Sequence, residues 1–391
     1  MKKSGNTTPA LVRQNGWRIA ARALSLGCLL WTAPVFGGQT NRPPDSGPGI
    51  TYMHDEVPEV PWSIHIVKVA RYRKDFRLET ALGQSNSLGM SLLTEQVTWL
   101  QKNGARPLAA INGDFYKSAN KYPGDPEGLQ ISQGELVSGP SPTRSCFWLD
   151  LGGGPHHTNV QSAFTARLGD GTTLRFGLNE ERARDELVLF TSANGSSTRT
   201  SGGLELVLAR GAADHWLPLR AGETYTATVQ EVREGGDASI TAKTMILSAG
   251  SDLAARFSAV KAGDTLTLTT GTVPSVKGSP MALGGGPALV RAGKPMNFSG
   301  LQPRHPRVAF GWNKTFFFLV EVDGRQKISA GMTFPELAAY LVKIGCDEAI
   351  NLDGGGSATI WVYGNVMNNP SEGRPRPAAN ALVVLRQEKA D

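Results

Sequence analysis

Three cysteines in 391 residues, 7% aromatic side chains and no apolar run of membrane-spanning length set the first limits on this chain. So few cysteines exclude a disulfide scaffold and a thiolate cluster for zinc or iron–sulfur. The lack of a long apolar run excludes an ordinary transmembrane helix. No His-Glu-x-x-His and no EF-hand spacing occurs, so the sequence carries no metal signature and implies no cofactor. Acidic turns leave calcium open as a ligand, with no residue assigned to hold it.

Past its first residues the chain also lacks an excess of either charge, although its formal charge is +6. Residues 1–38 contain Lys2, Lys3, Arg13, Arg18 and Arg22 and no acid; subtracting those five from 40 leaves 35 basic residues against 34 acidic ones. That balance gives no electrostatic case for a nucleic-acid partner. The basic start runs into the apolar segment Ala23–Trp31 and then Ala33–Gly38, the plan of a secretory signal peptide. A secreted or periplasmic protein is therefore expected. Cys28 lies inside the apolar run with Ser25 before it, which disfavours lipid attachment. Cys146 and Cys346 remain after cleavage, open between a disulfide and two buried thiols.

What the chain has in abundance is glycine, 46 residues, punctuating short apolar runs. Residues 39–60 are rich in Pro, Gly and polar groups and read as a linker. Alternation at Ile64–Val69 predicts a strand, and Ser91 opens a helix with Leu93, Val97 and Leu100 on one stripe and Gly104 as its stop. Residues 158–276 alternate in short runs between Gly-rich turns and read as a β-rich subdomain inside one larger domain, 61–390. Thr333-Phe334-Pro335-Glu336 is a capping box, followed by Leu337, Leu341 and Ile344 and stopped by Gly345. The fold class expected is α+β, with mixed β-rich sheets and a few helices.

One pattern recurs. A helix, a glycine and a short strand lead to Asn112-Gly113-Asp114, and the same order leads to Asn351-Leu352-Asp353 and Gly354-Gly355-Gly356-Ser357. A second parallel pairs Gly128–Gly134 with Gly286–Gly293. Two related halves, with both Asp-bearing turns at their junction, would explain this; chance similarity of two short units is the alternative. An Asp delivered by a buried strand into a glycine turn is open to close approach by a substrate.

In order along the chain, Ile111–Tyr116, Leu283–Pro287, Arg307-Val308-Ala309, Val322–Gln326, Ser329–Thr333, Asn351–Ser357 and Asn369-Pro370-Ser371 resemble the motifs of the phosphodiester glycosidase family. The resemblance covers most of residues 61–386 and is densest after Leu283. It implies hydrolysis of a sugar-1-phosphodiester at the anomeric carbon, releasing free sugar and a phosphomonoester. The substrate expected is a phosphorylated glycan of the envelope or exterior, of N-acetylhexosamine-1-phosphodiester type. Val308 stands where the family motif has Thr, a change that removes a hydroxyl.

Such cleavage passes through an oxocarbenium-like transition state flanked by carboxyl groups. Asp353, Asp114 and then Asp323 are the catalytic candidates. Guanidinium suits a phosphate because its planar fork binds bidentately and stays charged, which makes Arg307 and Arg325 the phosphate candidates. Asn112, Asn351, His305, Gly354, Gly355, Gly356, Ser357, Gly285 and Gly286 complete the expected binding set. Each has a structural alternative: a turn cap for the acids, ion pairs with them for the arginines, tight turns for the glycines. Phe115 and Tyr116 fit stacking on a sugar or packing in a core. His156-His157 beside Gly152–Gly154 is assigned no role. Two other functions stay open: a phosphodiesterase cutting P–O, and a carbohydrate-binding or exopolysaccharide accessory protein without turnover.

Overall fold

The computed structural model describes residues 48–119, 121–211 and 216–387. The expected signal peptide, Cys28 and residues 39–47 of the expected linker lie outside them. The remainder of that linker is not loose: Ile50–Val57 is a strand paired antiparallel with Trp62–Ala70. Past the buried Ile50 its side chains are half-buried or exposed, as suits an edge strand.

Strands dominate the described residues, and two α-helices accompany them, α1 at Leu93–Lys102 and α2 at Phe334–Lys343. The class is β-rich, so α+β describes it only loosely. A seven-stranded sheet runs in the order Ile50–Val57, Trp62–Ala70, Phe316–Val322, Arg307–Trp312, Glu348–Leu352, Ala288–Arg291 and Lys294–Pro295. A five-stranded sheet runs Asn365–Val366, Ile360–Val362, Arg106–Asn112, Asn380–Arg386 and Phe76–Leu82.

Alternation along the strands sorts their side chains into layers. Val308, Phe310, Leu319, Ile350 and Leu352 from the first sheet share one core with Leu108, Ile111, Ile360, Leu382 and Val384 from the second. The opposite face of the first sheet, with Ala309, Val320 and Ala349, packs on Leu337 and Leu341 of α2. The opposite face of the second, with Ala110 and Val383, packs on Leu93, Val97 and Leu100 of α1. The layers therefore run helix, sheet, sheet, helix, and each Asp-bearing strand lies in its own sheet.

The helices show where local rules hold. Thr333 caps α2: its hydroxyl accepts from Glu336 N at 3.2 Å, and Glu336 Oε2 accepts from Thr333 N at 2.9 Å. Gly345 follows at φ +97°. The start of α1 differs from expectation. Ser91 is drawn into a β-bridge with Ala378, exchanging N–H···O bonds of 3.2 and 2.9 Å, so the helix begins at Leu93.

The second sequence parallel also has a common geometry. Gln133-Gly134 and Ala292-Gly293 each join two hairpin strands with φ positive at both residues. The β-rich middle is an eight-stranded sheet drawn from residues 161–273. Its core continues onto Leu129 and onto Ile131, Cys146 and Trp148 of a further five-stranded sheet. Cys146 and Cys346 are free, buried thiols in separate clusters.

Phe310 lies at the centre of the inter-sheet core, its ring 4.7 Å from Phe147, 5.7 Å from Trp312 and 5.6 Å from Phe317. Phe310→Ala should lower the unfolding free energy by about 3–5 kcal/mol in chemical denaturation. A loss below about 1 kcal/mol would show that the two sheets do not depend on this contact.

Candidate active site

The two Asp-bearing turns meet. Asp353 N donates to Gly113 O at 2.9 Å, and Asn112 Nδ2 donates to Asp353 O at 2.6 Å. Asn112 Oδ1 in turn accepts from Thr359 N at 2.9 Å. Asn112 is 1% exposed, and its side chain ties the two turns together. Gly113 is held tightly as well, since a Cβ there would come within 2.2 Å of Asn380 Oδ1.

The two carboxylates then diverge. Asp353 is partly buried and lines a cavity of about 210 Å³ with Phe115, Tyr116, Ser118, Glu127 and Arg376. Burial pushes its pKa up to about 6, while Ser357 and Arg376 hold it from rising further and Glu127 adds to the rise. Asp114 is 0% exposed and is not among the lining residues. Its Oδ1 accepts from Phe115 N at 2.8 Å and lies 3.6 Å from Arg144 Nη2. The carboxylate packs on Gly284 and Gly128, where a Cβ would approach it to 2.1 and 3.0 Å. Burial raises its pKa to about 7, with Arg144 opposing. Asp114 thus stands behind the cavity and reaches it through Arg144, which pairs with Glu127 at 3.0 Å and lies over the Phe115 ring at 4.2 Å.

The remaining candidates divide by place. Arg325 is exposed at φ +61°, its guanidinium 3.2–3.8 Å from where a Cβ on Gly355 would stand. Arg325 Nη2 lies 3.2 Å from His305 Nδ1. Arg307 is mostly buried: Nε donates to Met332 O at 2.8 Å, Nη2 to Pro303 O at 2.9 Å, and the fork lies over Phe334 at 4.0 Å. Burial and the nearby Arg325 charge lower its pKa to about 10. The same two arginines, added to burial, lower that of His305. Neither Arg307 nor Arg325 has a carboxylate partner among the described residues, so the expected alternative of ion pairs with the site acids is not realised. The donors of Arg307 serve backbone carbonyls of the loop around it, which places it behind this cationic cluster.

The glycine turn after Asp353 separates the two groups. Gly355 N donates to Pro306 O at 2.9 Å, and a Cβ on Gly354 would meet Pro306 O at 2.5 Å. Gly356 faces Glu372 and Arg376, and Ser357 Oγ accepts from Arg376 Nη2 at 2.9 Å. Gly285 and Gly286 do other work. Gly285 lies on Asn351 O, where a Cβ would come to 2.7 Å, and Gly286 N donates to the same oxygen at 2.7 Å. Asn351 is 1% exposed and donates to Gly286 O at 3.0 Å. These three residues close a strand joint and do not line the cavity.

Asp323 lies apart from the cavity. It is 2% exposed, outside the cavity lining, and its oxygens accept from Ser63 Oγ at 2.9 Å and Asn369 N at 2.8 Å. Val308, the departure from the family motif, is 0% exposed within the inter-sheet core, so its change concerns packing and not substrate contact. His156 and His157 pair with Asp150 at 2.8 Å and Glu348 at 2.6 Å, as structural contacts. A larger cavity of about 640 Å³, beside Arg71, Lys74 and Phe317, has no carboxylate in its lining.

Glu127, Arg144, Glu372 and Arg376 escaped the sequence reading. Glu127 directly precedes the Gly128–Gly134 motif, which was a usable signal. Arg376 sits in the polar stretch Ser371–Pro377, where nothing in spacing distinguishes it.

With this geometry, the comparisons with known proteins can be placed. Residues 221–385 match the phosphodiester glycosidase family. That span holds the glycine turn, Asp353 and the arginine cluster, and over it the resemblance seen in the motifs stands. An uncharacterized protein of Bacillus subtilis, derived from its SPbeta prophage, is 33% identical over 102 residues, 25% of this chain and 16% of that protein. A hypothetical protein from Synechocystis has the same fold, with TM-score 0.69 and 21% identity over 87% of this chain and 62% of its own. A candidate exported protein from Burkholderia pseudomallei superposes with TM-score 0.63 and 21% identity, over 83% and 74% of the two chains. The chain therefore spans about three fifths of the Synechocystis structure and a small part of the Bacillus protein.

The buried Asp114 makes a stability prediction. Its folded pKa lies near 7, above the ordinary 3.8, so the folded state holds the proton more tightly. Its contribution is full below about pH 4 and is lost as pH rises through 7. Asp114→Asn should remove this decline, so the wild-type minus variant stability should fall by an amount on the order of a few kcal/mol between pH 4 and 8. Parallel stability profiles across that range would refute it.

Proposed function

We propose that the protein is an exported glycosidase that hydrolyses the C–O bond of sugar-1-phosphodiesters in envelope or extracellular glycans. The observation that carries this reading is the glycine turn Gly354–Gly356, which holds a carboxylate on one side and, on the other, a guanidinium with no carboxylate partner among the described residues. The family match over residues 221–385 supports the reaction class. Export is supported by the basic, then apolar, start of the sequence.

In this reading the sugar occupies the cavity over Phe115 and Tyr116, with its anomeric carbon at Asp353. The phosphate lies toward Arg325 and Arg376, while Arg307 holds the local potential positive from behind and His305, its pKa lowered, stands against Arg325. A phosphate is a good leaving group, so recognition of its charge matters more than acid assistance. The C1–O bond breaks and its electron pair leaves on the phosphate oxygen. Water supplies the oxygen that ends on C1, giving free sugar and a phosphomonoester. Asp353 in its ionised form stabilises or attacks the anomeric carbon, and Glu127 across the cavity is the second carboxylate. The balance of desolvation against Ser357 and Arg376 keeps Asp353 ionised at neutral pH, so activity is expected to fall as pH drops through about 6.

Phosphorus NMR on an N-acetylglucosamine-1-phospho-alkyl substrate should show a phosphomonoester appearing with the protein. Asp353→Asn should lower kcat by about 10²- to 10⁴-fold. In heavy-oxygen water the label should enter the sugar; label in the phosphate would mean P–O cleavage. Binding without turnover across a panel of phosphoglycans, unchanged in Asp353→Asn, would leave a carbohydrate-binding protein. Separately, Arg325→Ala should raise KM by about 10- to 100-fold with a smaller change in kcat. An unchanged KM would remove Arg325 from phosphate recognition.

A further inference from the structure

Apart from the cavity at Asp353, the inner face of the seven-stranded sheet carries a buried polar cluster that the proposed reaction does not use. Glu321 is the last residue but one of the strand Phe316–Val322, and Asp323 follows directly after the strand, two residues on, so both carboxylates leave the same face. His65 stands opposite Glu321 in the register of the neighbouring strand Trp62–Ala70. One ligand atom from each of the three lies within 4.8 Å of the others, and His65 Nε2 is 3.3 Å from Asp323 Oδ2.

Three features distinguish this cluster from an acidic turn. The residues are 3%, 0% and 2% exposed, in the order His65, Glu321, Asp323. No lysine or arginine pairs with either acid among the described residues, so two carboxylates share a buried site with the His65 imidazole. Glu321 Oε1 accepts only a long bond from Asn368 Nδ2, at 3.3 Å, and Glu321 Oε2 has no hydrogen-bond partner. A buried carboxylate oxygen without a partner costs free energy that a bound cation would remove.

The surroundings suit a ligand histidine. Tyr52 OH lies 2.7 Å from His65 Nδ1, which fixes the ring and leaves Nε2 toward the carboxylates. His54 stacks on the same ring at 4.3 Å and is itself exposed, so the cluster lies one ring from solvent at the sheet edge. Ser63 Oγ donates to Asp323 Oδ2 at 2.9 Å. One imidazole nitrogen with two carboxylates is a donor set for a transition ion of the zinc class. Calcium and magnesium prefer oxygen alone.

We propose that His65, Glu321 and Asp323 bind one divalent transition-metal ion of the zinc class. The site would brace a loop of the candidate active site. Asp323 accepts from Asn369 N and Glu321 from Asn368, and that segment leads to Glu372 and Arg376 beside Asp353.

The test uses the full chain, freed of metal by chelation and titrated with zinc while binding heat and thermal unfolding are followed. One equivalent should bind, and the melting temperature should rise with zinc concentration. Glu321→Gln and His65→Gln should each weaken binding by at least the roughly 10- to 100-fold that outer-shell changes cost. Absence of stoichiometric binding to the wild type overturns the proposal, and so does binding of unchanged affinity in the variants. Should one variant lose its cooperative melt, the other decides.

Discussion

The whole arrangement depends on the backbone stitch between Gly113 and Asp353. Turns at the ends of buried strands carry amide groups that need partners, and these two turns satisfy one another. Asn112 adds a third thread by bonding both Asp353 O and Thr359 N. Because each turn belongs to a different sheet, the stitch fixes the distance between sheets at the end where the cavity opens. The apolar core between those sheets supplies the rigidity, and α1 and α2 close the two outer faces. Chemistry is thus placed by elements that cannot shift separately.

The same end of the stack separates charge by burial. Glu127, Asp114 and Asp353 crowd one side, where desolvation raises the last two carboxyl pKa values against the pull of Arg144 and Arg376. His305, Arg307 and Arg325 crowd the other, where desolvation and mutual repulsion lower the pKa of His305 and Arg307. Each side is strained electrostatically in a direction that an opposite charge would relieve: an anion beside the arginines and positive charge beside Asp353. Gly355 lies between them with no side chain, which is what lets the Arg325 guanidinium come so near the turn.

Much of this was legible in the sequence, and the residues show why. The capping box at Thr333 and the glycine stops are local rules, and the structure keeps them. The repeated Asn-x-Asp turns were visible because a strand must deliver them, and they do meet. What was not legible depends on long-range placement. Asp323 and Asp353 both follow short strands, yet one is enclosed by Ser63, His65 and Asn369 and the other opens on a cavity. Arg307 and Arg325 look equivalent in a motif, but one fork is spent on Met332 and Pro303 carbonyls. Arg376 has no local signal at all, since its value comes from Ser357 and Asp353 lying nearby.

Glycine carries different roles at sites that look alike in sequence. Gly354 and Gly355 clear the approach to Asp353 and Arg325, whereas Gly285 and Gly286 let one strand lie on the backbone of Asn351. Gly284 belongs to a third kind: its missing Cβ admits the carboxylate of Asp114, which would otherwise be 2.1 Å away. That contact couples packing to chemistry, because the depth at which Asp114 sits sets both its raised pKa and the reach of Arg144 toward Glu127. A side chain at Gly284 would displace Asp114 and, through Arg144, alter the second carboxylate of the cavity without touching the cavity itself. The depth of Asp114 is therefore set one layer behind the site, by a glycine in the strand Ala282–Gly284.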